Sequence, residues 1–391
     1  MDFELTTEQK MIQKNVREFM RKEILPLTED IDKNDLFPEW LWKSLGELGF
    51  LGLGISEEYG GSGMDLLTVT LVIEQLARVS PAIAVSFTAH VNLCAHNLER
   101  NGTEKQKKKY LPGLCKGDLV GCLGLTEPNA GSDAVGITTI AEKRGNNYHL
   151  NGSKIFITNA PIADLALIYA KTNMEKGARG ITAFLVEKGT KGFSVSKQIE
   201  KMGNRGSQTG ELFFDNCIVP DENVVGKVDD GIRVMMNGLD IERVVVAAIS
   251  LGIGVAALEL GLKYAKNRHQ FNQPIANFQL IQEKLANMYT EIEASRGLIY
   301  RAALLADKSK RGGKGTEIHK LAASAVLHSA EAATKAVNES LQIHGGYGYT
   351  LDYPINRFYR DAKLYEIGAG TSEMRRLMIA RELINKGLEY V

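Results

Sequence analysis

The chain has 391 residues, 44% hydrophobic and 24% charged, an ordinary globular composition too long for one small core, so two or three domains are expected. Lys+Arg and Asp+Glu both number 47, and zero net charge argues against a protein built around nucleic-acid phosphates or an acidic membrane surface. Cys94, Cys115, Cys122 and Cys217 show no CxxC spacing and the seven histidines do not cluster, so neither a disulfide framework nor a metal site is expected.

Thr6 begins a capping-box pattern with Gln9, and Ile12, Val16, Phe19, Met20 and Ile24 follow at helical spacing up to Pro26. No basic, apolar leader pattern opens the chain and no apolar run of 18 or more is seen, so no signal peptide and no membrane span are expected, and a reducing cytoplasm is the expected location. Further helical pieces are read at about 40–50, 66–79, 82–100 and Thr103–Leu114, making 1–118 a helical domain. From 119 to 230 the grammar changes to strands and turns. Tyr148 and Leu150 alternate with polar residues up to Asn151-Gly152, the preferred type I′ hairpin turn. No helices separate these strands, so an antiparallel β domain is expected. From 231 to 391 long amphipathic stretches, Gly231–Lys266, Ile275–Leu305 and Glu317–His344, predict a helical bundle. The expected fold class is α+β, with an N-terminal helical domain, a middle antiparallel β domain and a C-terminal four-helix bundle.

Three stretches invite a chemical reading. Gly252-Ile253-Gly254-Val255-Ala256-Ala257 matches a dinucleotide fingerprint, but it lies inside a helical run with no strand before it, so small residues in a tightly packed helix explain it better. Leu123 to Asp133 is a dense cluster of turn formers after an apolar strand, which exposes backbone N–H and hydroxyl groups to a polar ligand or forms a plain surface loop. Near the C-terminus, Gly368-Ala369-Gly370 breaks two helix-compatible segments, with Thr371 as N-cap and Ser372 and Glu373 at the new helix start. Such a break is either a joint with a glycine cap or a cradle of free N–H groups for an anion or a polarised carbonyl.

Five ordered motifs carry a resemblance over essentially the whole chain: the Leu123–Asp133 loop; Lys154-Ile155-Phe156-Ile157-Thr158-Asn159; Arg268-His269-Gln270-Phe271 with Pro274; Gln342-Ile343-His344-Gly345-Gly346-Tyr347-Gly348; and Arg360 to Arg376. In this order they resemble the acyl-CoA dehydrogenases. The resemblance implies FAD between the β domain and the C-terminal helices, lined by Leu123, Leu125, Thr126, Ser132, Phe156, Ile157 and Thr158 and by the helix start at Thr371 and Glu373. Arg268, Gln270, Phe271, Gln279, Gln342, Gly345 and Gly346 are implied to hold its pyrophosphate and tail, some of them from a neighbouring subunit of a homotetramer, a dimer of dimers. Asn272 departs from the glycine usual after the phenylalanine.

The implied reaction is α,β-dehydrogenation of an acyl-CoA, with electrons passed to an electron-transferring flavoprotein. The Ala369 N–H matches the family's donor to the thioester carbonyl. Most of the family has a glutamate base at position 369, and alanine cannot take a proton. The isovaleryl-CoA branch shares this substitution and takes its base from the first helix of the C-terminal domain, where this chain has Gly238-Leu239-Asp240-Ile241-Glu242-Arg243; Val85–Cys94 resembles that branch too. Glu242 is therefore the expected base. Ser132, Arg233, Asp240, Arg243, Ala369 and Gly370 are expected beside the substrate. Arg233 replaces a tyrosine of that branch and could meet a CoA phosphate, an acyl carboxylate or solvent. A short branched or bulky acyl group is expected. The alternatives are an alicyclic, aromatic or dicarboxylic acyl-CoA of benzylsuccinyl-CoA or glutaryl-CoA type, or a non-catalytic acyl-CoA-binding role.

Overall fold

The computed structural model describes residues 4–308 and 316–387. Thr6 and Gln9 form the expected reciprocal cap at the start of α1 (Thr7–Phe19). Pro26 does not end the helical path. The chain widens into an i→i+5 turn at Met20–Ile24, tightens at Leu25–Leu27 and continues into α2 (Thr28–Asn34). Pro26 sits at the start of that tight turn, where a missing N–H is tolerated. After α3 (Trp40–Glu47), Asp65 caps α4 (Leu66–Ala77), every residue of which is buried. Ser80 and Pro81 then start α5 (Pro81–Thr88). A second wide segment, Ala89–His96, leads into α6 (Asn97–Asn101), and a Thr103–Gln106 capping box starts α7 (Glu104–Cys115).

The sheet comprises β1 (Gly121–Gly124), β2 (Ile140–Arg144), β3 (Asn147–Thr158), β4 (Leu165–Lys171), β5 (Ile181–Glu187), β6 (Phe193–Val195), β7 (Thr209–Pro220) and β8 (Val224–Val225). Its order is β6-β7-β3-β2-β4-β5-β8, with β1 beside β4. Two expectations are corrected here. The sheet is mixed, because β1 pairs with β4 in parallel, as does β2 through Ile140 and Lys171. No helix is needed for that crossover, because the β2–β3 hairpin itself carries the chain between the parallel neighbours. Asn151-Gly152 is not the hairpin turn. It lies inside β3, and the β2–β3 loop is Gly145-Asn146, closed by Arg144 opposite Asn147. Gly145 takes the positive φ of 62° that this turn demands. Gly152 instead sits at a register shift against β7 with φ 143°, and a Cβ there would lie 2.8 Å from Thr139 Cα. Asn-Gly thus marks a bulge with close backbone approach.

The C-terminal region has α8 (Gly231–Asn267), a short β9–β10 hairpin (His269–Gln270 and Gln273–Pro274), α9 (Gln279–Lys308), α10 (Glu317–His344), α11 (Ile355–Ala362) and α12 (Ser372–Lys386). By length and composition alone α8 could cross a membrane. However, 78% of its most apolar window is buried here, where it packs against α4, α5, α9 and α10. Gly252 is where α8 meets α4: a Cβ there would lie 2.5 Å from Glu74 O and 2.6 Å from Ala77 Cβ. The glycine run is a helix contact, as its position in the sequence implied. All four cysteines are buried and free.

Buried polar bonds tie the three regions into one body. His90 accepts from Gly121 N at 3.0 Å and contacts Leu114 O at 3.0 Å, joining the Ala89–His96 segment to β1. Asn159 Nδ2 donates to Ser86 O at 2.9 Å. Tyr365 OH donates to Asn204 Oδ1 at 2.8 Å, joining the C-terminal helices to the loop before β7.

Candidate active site

The loop after β1 is held from below by a buried ion pair. Lys154 Nζ, on β3, donates to Glu127 Oε1 at 2.7 Å and to Leu125 O at 3.2 Å. Glu127 also accepts from Thr138 N at 2.6 Å, Thr138 Oγ1 at 2.8 Å and Thr139 N at 3.0 Å. Burial alone would raise the Glu127 carboxyl, but the Lys154 charge and these hydrogen bonds hold it down at about 2. The pair is thus ionised. Ile155 N donates to Thr126 O at 2.9 Å, which sets Thr126 beside the Phe156 turn.

The residues expected to line FAD lie along this loop and the strand stapled to it. Leu123, Thr126 and Thr158 are half-buried, Leu125 is buried and Ser132 is exposed. Phe156 is held at φ 60° with 64% of its surface exposed, a largely uncovered apolar face. The Thr126, Ser132 and Thr158 hydroxyls make no hydrogen bond among the described residues. An aromatic face flanked by uncommitted hydroxyls fits a planar, polar-edged ring system such as a flavin. The Ile157 side chain is buried in the sheet core, because it alternates with Phe156 along β3, so that position can offer a flavin only its main chain.

Glu242 lies on α8, half-buried. Burial pushes its carboxyl up to about 7, against the opposing Arg243 and Arg375 charges. The buried Tyr169 phenol of β4, which accepts from Asn97 Nδ2 at 3.2 Å, lies within its electrostatic reach and is itself pushed up, chiefly by burial. Asp240 faces a different way. Its Oδ1 accepts from Arg243 Nη1 at 2.7 Å and meets His319 Nδ1 of α10 at 2.8 Å, all three being buried. Two residues along a helix turn a side chain by about 200°, so Asp240 is bound into the bundle while Glu242 is not.

Arg233 is likewise not brought to Glu242. Nine residues apart on α8, the two lie about 180° around the helix and about 14 Å along it. Arg233 Nε donates to Asp230 Oδ2 at 2.7 Å, and the side chain is half exposed. Arg233 thus lies at the protein surface, on the side of α8 opposite Glu242.

The Gly368–Gly370 break is a left-handed turn, with Ala369 at φ 55° and Gly370 at φ 95°. Thr371 caps α12 as expected, accepting from Met374 N at 3.3 Å, and Glu373 is exposed on its first turn. Sequence reasoning passed over Arg375. Its side chain is completely buried and donates to Tyr365 O at 2.8 Å and Gly368 O at 2.6 Å. Its charge also lies within electrostatic reach of Glu242, on the expected base's side of the turn carrying Ala369.

The residues expected at the FAD tail gather at one end of the bundle. Arg268 lies over the Tyr347 ring at 5.6 Å, joining the β9–β10 hairpin to the segment after α10. Gln270, Phe271, Gln279, Gln342, Gly345 and Gly346 are all exposed there. Asn272 takes φ 61°, so asparagine meets the left-handed requirement that glycine serves elsewhere in the family.

Family models for the acyl-CoA dehydrogenase N-terminal, middle and C-terminal domains match residues 6–118, 122–217 and 229–384. The chain belongs to the acyl-CoA dehydrogenase family of FAD-dependent oxidoreductases. It is 46% identical over 380 residues to mitochondrial isovaleryl-CoA dehydrogenase of Solanum tuberosum, covering 97% of this chain and 91% of that one. It is similar to a chain solved in work on the electron-transferring flavoprotein of Acidaminococcus fermentans, with 42% identity, a TM-score of 0.95 and coverage of 99% and 100%. Glutaryl-coenzyme A dehydrogenase in its glutaryl-CoA complex is 40% identical with a TM-score of 0.94, over 98% of this chain and 97% of that one.

Proposed function

We propose that this acyl-CoA dehydrogenase oxidises a short, branched acyl-CoA of the isovaleryl-CoA type to its 2-enoyl-CoA, with Glu242 as the base. The observation that carries this reading is Glu242 itself: a half-buried carboxyl raised to about 7, in a chain whose position 369 is alanine. An α-proton next to a thioester is weakly acidic, so the base works only if the carbonyl is polarised as the proton leaves. The Ala369 N–H is the chain's own donor for that carbonyl. Bound FAD supplies the acceptor for the hydride that leaves the β-carbon as the α–β double bond forms. Thr126, Ser132 and Thr158 would hold its polar edge and Phe156 its face, with Arg268 and its neighbours on the tail of a flavin in an adjoining subunit. We place the protein in the cytoplasm, as a homotetramer that passes electrons to an electron-transferring flavoprotein. The likeness to the Acidaminococcus chain supports that acceptor.

The glutaryl-CoA likeness favours a dicarboxylic substrate as the second reading. That reading needs a cation at the acyl end, and Arg233 is on the wrong face of α8 and paired with Asp230. The test is a panel of acyl-CoA esters scored by anaerobic flavin bleaching, with Glu242→Gln beside the parent. Isovaleryl-CoA should bleach the parent fastest, and the variant should slow by at least ~10²-fold with FAD content unchanged. A preference for glutaryl-CoA or benzylsuccinyl-CoA would replace the substrate reading. No bleaching by any ester would favour the non-catalytic role, and an unslowed variant would remove Glu242 as base.

A further inference from the structure

Among the described residues, Arg375 is the largest side chain with essentially no exposed surface. A guanidinium in such a place ordinarily meets a carboxylate, because burying an unpaired charge is expensive. Arg375 makes no ion pair among the described residues. Its hydrogen bonds go to two backbone carbonyls, Tyr365 O and Gly368 O, and its Nε is buried with no partner. The fork thus delivers positive charge to a turn of main chain.

The second carbonyl explains why. Gly368 C=O and Ala369 N–H are the two ends of one peptide group. The peptide is trans, so they point in opposite directions. With the oxygen fixed at 2.6 Å from Arg375 Nη2, the N–H faces away from the arginine, and it has no acceptor among the described residues. The conformation is one that alanine does not adopt freely, with φ at 55°, so something must hold it. A cation at the oxygen also draws electron density through the amide and makes the N–H a stronger donor.

We propose that Arg375 is a positioning residue that locks and polarises the Gly368–Ala369 peptide, presenting the Ala369 N–H to the thioester carbonyl as negative charge develops on its oxygen. The inference rests on the reading of Ala369 N–H as the carbonyl donor and extends it to the group that makes that donor effective.

The experiment compares two ligands that need no base. One is a 2-enoyl-CoA thioester; the other is the thioether of the same chain length, with CH₂ in place of C=O. Their dissociation constants are read from the change in flavin absorbance for the FAD-loaded parent, Arg375→Met and Arg375→Lys. The parent should bind the thioester more tightly. Arg375→Met should lose about tenfold for the thioester, the scale of one charge-assisted hydrogen bond, and nothing for the thioether. Arg375→Lys, which keeps the charge without the fork, should fall between. If the methionine variant does not fold, the lysine variant carries the same comparison. Equal weakening of both ligands, or an undiminished preference for the thioester, overturns the proposal. A parent with no such preference would remove the donor reading itself, and the proposal with it. Failure of the Glu242 assignment would leave this comparison untouched.

Discussion

Glu242 holds its proton more tightly than an ordinary carboxyl because burial penalises its charged form more than Arg243 and Arg375 favour it. The folded value near 7 lies above the unfolded value of about 4.3. Below the lower value the proton is bound in both states and Glu242 contributes fully to stability. As pH rises through about 7 that contribution is lost, since the folded state must then carry the unfavourable charge. Glu242→Gln should therefore melt at a higher temperature than the ligand-free parent at pH 8 and at the same temperature at pH 4, read by scanning calorimetry. In the parent, the rate of flavin reduction should climb with pH through about 7 and then level off, because the base must be ionised to act. How far this site could be read from sequence varies by residue. Glu242 was singled out because position 369 lacks a carboxylate and the resembling isovaleryl-CoA branch takes its base from this stretch of helix, and the structure adds its burial and raised carboxyl. Arg375 was not, because nothing in the pair Arg375-Arg376 says which guanidinium turns inward. Arg233 was left open among three surroundings, although its nine-residue spacing from Glu242 on one continuous helix already sets the two on opposite faces.

The α4–α8 contact shows what one missing methyl can secure. Gly252→Ala would push a Cβ to within 2.6 Å of Ala77 Cβ and closer still to Glu74 O, and helices this tightly apposed cannot yield without parting. The expected loss is about 1–3 kcal/mol, read as a lower urea midpoint. FAD per folded molecule should stay unchanged, because the glycine run serves packing and not a nucleotide; selective flavin loss would revive the fingerprint reading. The helices were the most legible elements, since their caps at Thr6, Thr103 and Thr371 and their apolar spacing are local signals. The sheet was less so. Asn151-Gly152 and Gly145-Asn146 are both good turn candidates, and the choice between them depends on β7, more than 50 residues away. The parallel placement of β1 depends in the same way on which edge of β4 it reaches, a tertiary matter that no alternation of residues records.

Taken whole, the chain carries zero net charge and leaves large apolar side chains uncovered at one end of its bundle: Phe271 at 87% exposure, Tyr349 at 89%, Leu351 at 82% and Leu280 at 73%. Side chains of this size in one region mark a surface meant to be covered, and Arg268 with the expected flavin-tail residues lies beside them. Sedimentation at micromolar concentration should return a tetramer, and Arg268→Ala should weaken FAD retention on dialysis. A monomer that keeps its flavin would contradict both. The burial of α4 has a further consequence during synthesis. The helix is complete once Ala77 has been made, yet the α8 surface that covers it is still about 175 residues away. At roughly 5–20 residues per second, that leaves an apolar helix without its main partner for on the order of 10–30 s on the ribosome. Over that interval the nascent chain is a natural client for a chaperone that shields hydrophobic segments, and a slowed ribosome anywhere between α4 and α8 would lengthen its exposure.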